Sequence, residues 1–194
     1  MINYFFSDMI KIFEKVYSKL IVLGLKLKGS KIEGKFSIRY GVDIPRLPSK
    51  LFIGNRVNLD RGVSLILSAT ESNSSTNFLL EIHDQVYINR YSLIDATTRI
   101  TIGARTMIGP HCYITDHDHD FKNQPVDKSI GELPLDGSPT NIGENVWIGS
   151  HVTILKGVTI GDNSIIGAGS IVTKSIPNNV VAVGNPCRVL KERK

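Results

Sequence analysis

The sequence of 194 residues contains only two cysteines, Cys112 and Cys187, and 7% aromatic residues with a single tryptophan. Two cysteines cannot build the disulfide framework that stabilises small secreted domains, so we expect a reducing, cytoplasmic location. Long apolar runs are also missing. The apolar run at 20–25 of the N-terminal segment is far shorter than the ~20 residues that span a bilayer. The length and the apolar fraction instead predict one globular domain.

Positive charge is concentrated at one end of the chain. Residues 1–39 contain eight basic and three acidic residues, which accounts for the whole net charge of +5, and the rest of the chain is balanced. A nucleic-acid-binding protein normally carries its basic residues on the folded body, so this distribution argues against a nucleic-acid partner. It fits a surface helix that lies near an acidic partner or an anionic lipid.

The N-terminal segment, residues 1–30, has apolar residues at helical spacing, which predicts an amphipathic α-helix. Two interpretations of its apolar stripe stay open. The stripe either packs on the main body or on a partner subunit, or it binds the inner face of a membrane peripherally through its lysine, leucine and phenylalanine side chains.

The strongest pattern in the sequence is a period of six. From Ile142 onward the chain divides into IGENVW, IGSHVT, ILKGVT, IGDNSI, IGAGSI and VTKSIP, with an aliphatic residue first and a small or aliphatic residue fifth. Three more repeats begin at Ile82, and another three begin at Ile102 after a slip of two residues. A period of six does not fit an α-helix. It predicts short strands that turn a corner every six residues, three strands to a triangular coil, in an all-β solenoid over residues 31–190 with a tail at 191–194.

These repeats resemble those of the hexapeptide-repeat acyltransferases. The resemblance is densest over 146–191, VWIGSHVTILKGVTIGDNSIIGAGSIVTKSIPNNVVAVGNPCRVLK, which is similar to the signature of the maltose and galactoside O-acetyltransferase branch and of polysaccharide O-acetyltransferases. It implies a left-handed parallel β-helix, a homotrimer, and transfer of an acetyl group from acetyl-coenzyme A to a sugar hydroxyl without a metal. The basic helix favours a surface-polysaccharide or lipid-linked acceptor. A small acceptor such as an antibiotic or serine, and a non-catalytic scaffold, remain alternatives.

The period stops at TDHDHDF, residues 115–121, and resumes at Ile142. The intervening residues are rich in Pro, Gly, Asp and Asn, which predicts an extruded loop over about 117–141 of the kind that carries function. Its paired histidines suit a metal cluster, a catalytic base or a solvated loop. Two histidines are too few for a zinc site. The γ-type carbonic anhydrases, the metal-dependent alternative, have a histidine where this chain has Lys156.

The resemblance assigns roles to individual residues. It implies that His119 is the general base that takes the proton of the acceptor hydroxyl, with His117 as the second choice and a contact to the acceptor. Ser150 would act in catalysis, by stabilising the oxyanion, and in coenzyme binding. The remaining predicted contacts are Asn89 and Trp147 for the acceptor, and Ala168, Thr173, Lys174 and Arg188 for acetyl-coenzyme A.

Overall fold

The computed structural model describes residues 2–68, 77–122 and 126–194, and the side chains from residue 9 onward within those ranges. Residues 123–125, which belong to the predicted loop, lie outside the described residues.

Short parallel strands stack into three sheets, one for each side of a triangular coil. Sheet A contains β1 (Lys31–Ile32), β3 (Leu51–Ile53), β6 (Leu80–Ile82), β9 (Ile100–Ile102), β14 (Thr140–Ile142) and β17 (Thr159–Ile160). Sheet B contains β2 (Phe36–Ile38), β4 (Val57–Leu59), β7 (Tyr87–Ile88), β10 (Met107–Ile108), β15 (Trp147–Ile148), β18 (Ile165–Ile166), β20 (Val180–Val183) and β21 (Arg188–Glu192). Sheet C contains β5 (Ser64–Leu67), β8 (Leu93–Ala96), β11 (Tyr113–Thr115), β16 (Thr153–Ile154) and β19 (Ile171–Val172).

The chain visits sheets A, B and C in turn and pairs each strand with the strand one coil away, which is the architecture of the left-handed parallel β-helix that the family resemblance implies. The predicted solenoid is therefore confirmed. The three turns of each coil are named here the A–B, B–C and C–A corners.

The residues that recur with the six-residue period form the core of the β-helix. The first residues of the six consecutive repeats, Ile142, Ile148, Ile154, Ile160, Ile166 and Val172, are all at most 2% exposed. The fifth residues are buried as well: Val146, Val152, Val158, Ser164, Ser170 and Ile176. The two serines satisfy their hydroxyls within the core, since Ser164 donates to the Pro177 carbonyl (2.7 Å) and Ser170 to the Gly167 carbonyl (2.6 Å).

The A–B corner turns through a residue with left-handed backbone in each coil. The residues with φ from 53° to 61° at this corner are Arg56, Gln85, Arg105, Asn145, Asn163 and Asn179. Asparagine tolerates this conformation better than most side chains. The last three also stack into a ladder, because the Asn145 amide donates to Asn163 (2.8 Å) and the Asn163 amide to Asn179 (3.1 Å). Each hydrogen bond joins two successive coils.

Helix α1 (Ile2–Leu27) confirms the predicted N-terminal helix and closes one end of the solenoid. Leu25 is buried, Tyr17 and Ile21 pack partly against the core, and the Ser18 hydroxyl accepts a hydrogen bond from the Ile38 N–H (3.0 Å). A second apolar stripe is exposed on the single chain: Met9, Ile12, Phe13, Val16, Leu20, Leu23 and Leu27. No helix in the described part of the chain is long and apolar enough to cross a membrane.

The extruded loop leaves the solenoid at the C–A corner after β11. It contains an antiparallel pair, β12 (His117–His119) with β13 (Leu135–Gly137), in which His117 lies opposite Gly137 and His119 opposite Leu135. The other end of the solenoid is closed by β21, which pairs antiparallel with β20. This last strand continues to Glu192 and so includes the first two residues of the predicted tail at 191–194.

Candidate active site

A cleft of about 390 Å³ runs along sheet B and the B–C corner. Strand register sets its lining. Tyr87, Met107, Trp147 and Ile165 are paired from coil to coil on the outer face of sheet B. Two residues further along the chain, at the corner itself, are Asn89, Gly109, Gly149 and Gly167, followed by Pro110, Ser150 and Ala168. The cleft therefore has one apolar wall and one wall formed largely by backbone.

Gly149 is needed where two coils lie close together beside the cleft. A Cβ atom at this position would lie 2.6 Å from the backbone nitrogen of Ala168 and 2.9 Å from its Cα. The coils can therefore approach closely only because the side chain is missing. The bare backbone at this corner is available to a thin, extended ligand.

Three polar side chains of the cleft have groups that can bind a ligand. Asn89 uses its side-chain oxygen to accept the Arg90 N–H (2.8 Å), and its amide N–H₂ has no partner among the described residues. In that same part of the chain the Ser150 hydroxyl and the Trp147 indole N–H also have no hydrogen-bond partner, and Trp147 is 55% exposed. The structure thus brings together four of the predicted site residues: Asn89, Trp147, Ser150 and Ala168.

His117 and His119 lie at another corner. They belong to β12, which begins at the C–A corner, whereas the cleft follows sheet B and the B–C corner. Within one chain the structure does not bring either histidine to Ser150. Thr173 and Lys174 follow β19 and are exposed at the C–A corner as well, while Arg188 begins β21 beside Val183.

The C–A corner is built around the carboxylate of Asp116, which is fully buried. Its two oxygens accept hydrogen bonds from the backbone N–H groups of Thr97 (2.9 Å), Thr98 (2.8 Å) and Arg99 (2.6 Å). Its Oδ1 atom also lies 3.0 Å from Nδ1 of His117. A single carboxylate thus fixes the turn of one coil and the ring of the following histidine.

His117 is the more buried of the two loop histidines. Its side chain is 13% exposed, and its Nε2 atom lies 3.9 Å from the Asp95 carboxylate. The hydrogen bond with Asp116 outweighs the effect of burial and, with the negative charges of Asp95 and Asp118, raises the pKa of His117 above its ordinary value. Burial in turn raises the pKa of Asp95. An Nδ1–H held by a carboxylate leaves Nε2 for proton transfer.

His119 is exposed, and its Nδ1 atom lies 3.2 Å from the carbonyl oxygen of Leu133. This contact also fixes one ring nitrogen and leaves Nε2 available. The difference between the two histidines is their surroundings, since His117 has carboxylates at both ring nitrogens and His119 has one backbone carbonyl.

Lys156 fastens the histidine loop to the solenoid. Its ammonium group binds the Asp136 carboxylate (2.6 Å) and carbonyl (3.0 Å) and lies 3.4 Å from the Asp118 carboxylate. It therefore joins both strands of the β12–β13 pair to the coil that follows. Across residues 2–68, 77–122 and 126–194, no three His, Cys, Asp or Glu side chains form a group that could hold a metal ion.

Sequence reasoning missed several residues of these two corners. Asp116 and Asp95 received no individual role, and Tyr87 was not considered. The signal for Tyr87 is its register, because it precedes an inward-facing isoleucine in the same way as Trp147 does. The exposed rings of His111 and His151 stack at 5.0 Å along the B–C corner, with Tyr91 beside His111 at 5.3 Å.

A parallel β-helix of six-residue repeats, with a backbone-lined cleft at one corner and a histidine loop at another, defines a protein of the hexapeptide-repeat class. Residues 139–174 match the family model described as bacterial transferase hexapeptide (six repeats). Over these residues the chain carries the six-residue repeat of the hexapeptide-repeat transferases.

The relatives are acetyltransferases. The chain is 50% identical to the galactoside O-acetyltransferase of Escherichia coli K12 over 101 residues, 52% of this chain and 47% of that protein. It is 39% identical over 114 residues to a protein of the same strain that is provisionally named a lipopolysaccharide biosynthesis O-acetyl transferase, covering 56% of this chain and 58% of that protein. A solved galactoside acetyltransferase in complex with coenzyme A superposes with a TM-score of 0.58 at 39% identity, covering 71% of this chain and 64% of that one. The chain spans about half the length of the curated relatives it matches.

Proposed function

We propose that this protein is an O-acetyltransferase that moves an acetyl group from acetyl-coenzyme A to a hydroxyl of a sugar. The observation that carries the proposal is the cleft at the B–C corner, where polar groups of Asn89, Trp147 and Ser150 without a partner among the described residues lie beside bare backbone at Gly149. The names of the relatives, and the coenzyme A bound by one solved neighbour, support the same donor.

The cleft suits the pantetheine arm of the coenzyme. The arm is long and thin, and its amides can hydrogen bond to backbone groups near Ala168, while the thioester lies beside Ser150. The Ser150 hydroxyl would then donate to the oxyanion that develops as the acceptor attacks, a contribution of about 10²–10³ in rate for one such donor. Thr173, Lys174 and Arg188 would meet the nucleotide end through hydroxyl and cationic groups.

The base in this proposal is a histidine of the loop. The repeat register favours His119, and the surroundings favour His117, whose Nδ1 is held by the buried Asp116 carboxylate. We assign the base to His117 because a fixed ring with a carboxylate partner is oriented for proton transfer and stabilised when it becomes charged. His119 is the competing assignment, and it is tested in the same experiment.

The two corners must come from two copies of the chain in this mechanism. One copy supplies the cleft at its B–C corner, and its neighbour supplies His117 from its C–A corner. A cyclic trimer would place these two corners against each other three times, in keeping with the homotrimer that the family resemblance implies. Each site is then incomplete without its neighbour.

The test is release of coenzyme A from acetyl-coenzyme A in the presence of a panel of sugars. His117→Ala should lower kcat by about 10²–10⁴, the usual contribution of general-base catalysis. Coenzyme binding, followed by the fluorescence of Trp147, the chain's single tryptophan, should remain unchanged. His119→Ala should have a smaller effect. His83→Ala, at the A–B corner, is the matched control and should behave as the wild type.

The outcomes separate the assignments. A large loss of kcat in His119→Ala but not in His117→Ala would establish His119 as the base. No loss of kcat in either variant would show that neither loop histidine acts as the base. No transfer to any sugar would refute the function itself. Co-expression of His117→Ala with Ala168→Trp, which fills the cleft, should restore part of the activity, because a mixed assembly contains one intact pair of corners.

The polysaccharide role and the membrane contact rest on helix α1. Its exposed stripe, with Leu20 at 64% exposure, lies close to Lys15 and Lys19, which suits peripheral binding to an anionic surface. The protein should sediment with vesicles that contain phosphatidylglycerol and not with neutral phosphatidylcholine vesicles. Leu20→Glu should abolish sedimentation, while Leu190→Glu, at 63% exposure on β21, should not. Equal sedimentation of both variants would refute the membrane contact.

A further inference from the structure

A second hollow, of about 300 Å³, adjoins the cleft on the side of helix α1. It is lined by Arg39, Asp60, Arg61, Arg90 and Tyr91. The two spaces are joined through Tyr87, whose ring lines the cleft and whose hydroxyl donates to the Asp60 carboxylate in the hollow (2.8 Å). A ligand in the cleft can therefore extend into the hollow along the same corner.

Arg61 and Arg90 occupy equivalent positions in successive coils, because the Tyr91 N–H donates to the Arg61 carbonyl (3.0 Å) and the preceding strands pair in register. Their backbones are thus about 4.8 Å apart, the spacing of neighbouring strands. Both side chains are exposed, and within the described residues neither guanidinium has a hydrogen-bond or ion-pair partner. Like charges on directly neighbouring strands are destabilising unless an anion lies between them.

The nearby acids make their close contacts with Arg39, and the Asp60 carboxylate interacts with Arg90 only at longer range. Glu14 pairs with Arg39 (3.1 Å), and Asp60 lies 3.5 Å from the same guanidinium. Asp60 also accepts the Arg61 backbone N–H (2.7 Å) and the Tyr87 hydroxyl. Two other arginines of the solenoid pair with a glutamate one coil away, Arg99 with Glu81 (2.6 Å) and Arg105 with Glu144 (2.8 Å).

The position of this arginine pair relates it to the acceptor. Arg90 directly follows Asn89, and the column that contains Arg61 and Arg90 continues through Pro110 to Ser150, two coils beyond Arg90 or about 10 Å. An acceptor whose hydroxyl reaches a thioester beside Ser150, and whose ring contacts Asn89, has its far end at the two arginines.

Resting on the proposed function, we infer that the acceptor is a sugar carrying a phosphate or diphosphate ester, which Arg61 and Arg90 bind together. Two guanidinium groups one coil apart can each direct a fork of N–H donors at different oxygens of one phosphate group. A carboxylate has only two oxygens and a single charge. The phosphate can come from a nucleotide-linked or a lipid-linked sugar.

The experiment compares one hexose as the free sugar, as its 1-phosphate, as its nucleoside diphosphate ester and as a short-chain prenyl diphosphate ester. Wild-type kcat/KM should be at least about tenfold higher for the phosphorylated forms than for the free sugar. Arg61→Gln and Arg90→Gln should each lower kcat/KM for the phosphorylated forms by about 10- to 100-fold and leave the free sugar unaffected. The ester with the highest kcat/KM identifies the source of the phosphate.

Arg56→Gln is the matched control. Arg56 is an exposed arginine at the A–B corner, and glutamine is tolerated there, since Gln85 has the same left-handed backbone one coil away. This variant removes the same charge and should leave kcat/KM unchanged for all four forms of the sugar. An equal loss in Arg56→Gln and Arg90→Gln would show a general effect of charge and would overturn the site.

A binding measurement keeps this inference separate from the proposed function. Inorganic pyrophosphate, followed by calorimetry, should bind the wild type and Arg56→Gln and should bind the double variant Arg61→Gln/Arg90→Gln at least about tenfold more weakly. Equal binding by all three, or no binding to the wild type, refutes the anion site. If no sugar is acetylated the proposed function fails, and the pyrophosphate result alone then decides whether the anion site exists. Transfer with equal kcat/KM for free and phosphorylated sugars would refute recognition of a phosphate on the acceptor and would leave the proposed acetyl transfer intact.

Discussion

Replacing Asp116 with asparagine tests how far the C–A corner depends on one buried carboxylate. The carboxylate accepts three backbone N–H groups, and the amide nitrogen of asparagine cannot accept any of those that face it. At the least, the Thr97 N–H is left without an acceptor in a buried position, at a cost of about 1–3 kcal/mol. Loss of the charge weakens the remaining bonds, so we expect a destabilisation of about 2–4 kcal/mol.

The assay is thermal unfolding followed by circular dichroism at one fixed protein concentration, because assembly makes the midpoint depend on concentration. A loss of about 2–4 kcal/mol corresponds to roughly 5–15 °C for a chain of this length. Asp118→Asn, one strand position from His117 and His119, removes an exposed ion pair to Lys156 and the smallest of the charge interactions with His117, and it should cost less than about 1 kcal/mol. An Asp116→Asn midpoint within about 1 °C of the wild type would refute this account of the corner.

Two further predictions concern the cleft and the histidine. Gly149→Ala should destabilise the protein by about 1–3 kcal/mol in denaturant titration, because the new Cβ meets the Ala168 backbone. Gly131→Ala should be nearly neutral, because its new Cβ would lie 4.0 Å from the nearest atom, Oγ of Ser129. Equal effects of the two variants would contradict the close approach of the coils at Gly149. The raised pKa of His117 means that its stabilising interaction with Asp116 and Asp95 is fully present below about pH 6.5 and is lost as pH rises through the folded-state pKa. His117→Gln should therefore lose more stability relative to wild type at pH 5.5 than at pH 8.5, and a pH-independent difference would refute the sign.

The repeat made the solenoid predictable, because an aliphatic residue at every sixth position leaves little choice of architecture. Ile142 to Val172 are buried as the period requires. The period also places Trp147 on the outer face of sheet B and Ser150 at the corner that follows. These two residues of the cleft could therefore be predicted by counting along the sequence. The family resemblance implies what counting cannot give, namely the left-handed winding of the coils and acetyl transfer as the expected reaction.

The histidine loop was less predictable because its order comes from contacts that no period encodes. Asp116 belongs to the last regular residues before the loop, and its partners at Thr97 to Arg99 lie almost one coil earlier in the chain. Lys156 reaches the loop from the following coil. The separation of His117 from Ser150 could have been foreseen, since the first follows a strand of sheet C and the second a strand of sheet B.

The two closed ends of the solenoid have a consequence for its size. Stacked coils are a one-dimensional array whose terminal strands would otherwise accept another molecule's strand, but α1 covers one end and the reversed strand β21 closes the other. The number of coils is therefore not limited by the ends. An extra coil inserted between β8 and β9 would leave both ends unchanged and would move the arginine pair one strand spacing, about 4.8 Å, further from Ser150. On the proposal that the arginine pair binds the acceptor, the number of coils between that pair and Ser150 would set the length of acceptor that fits the site.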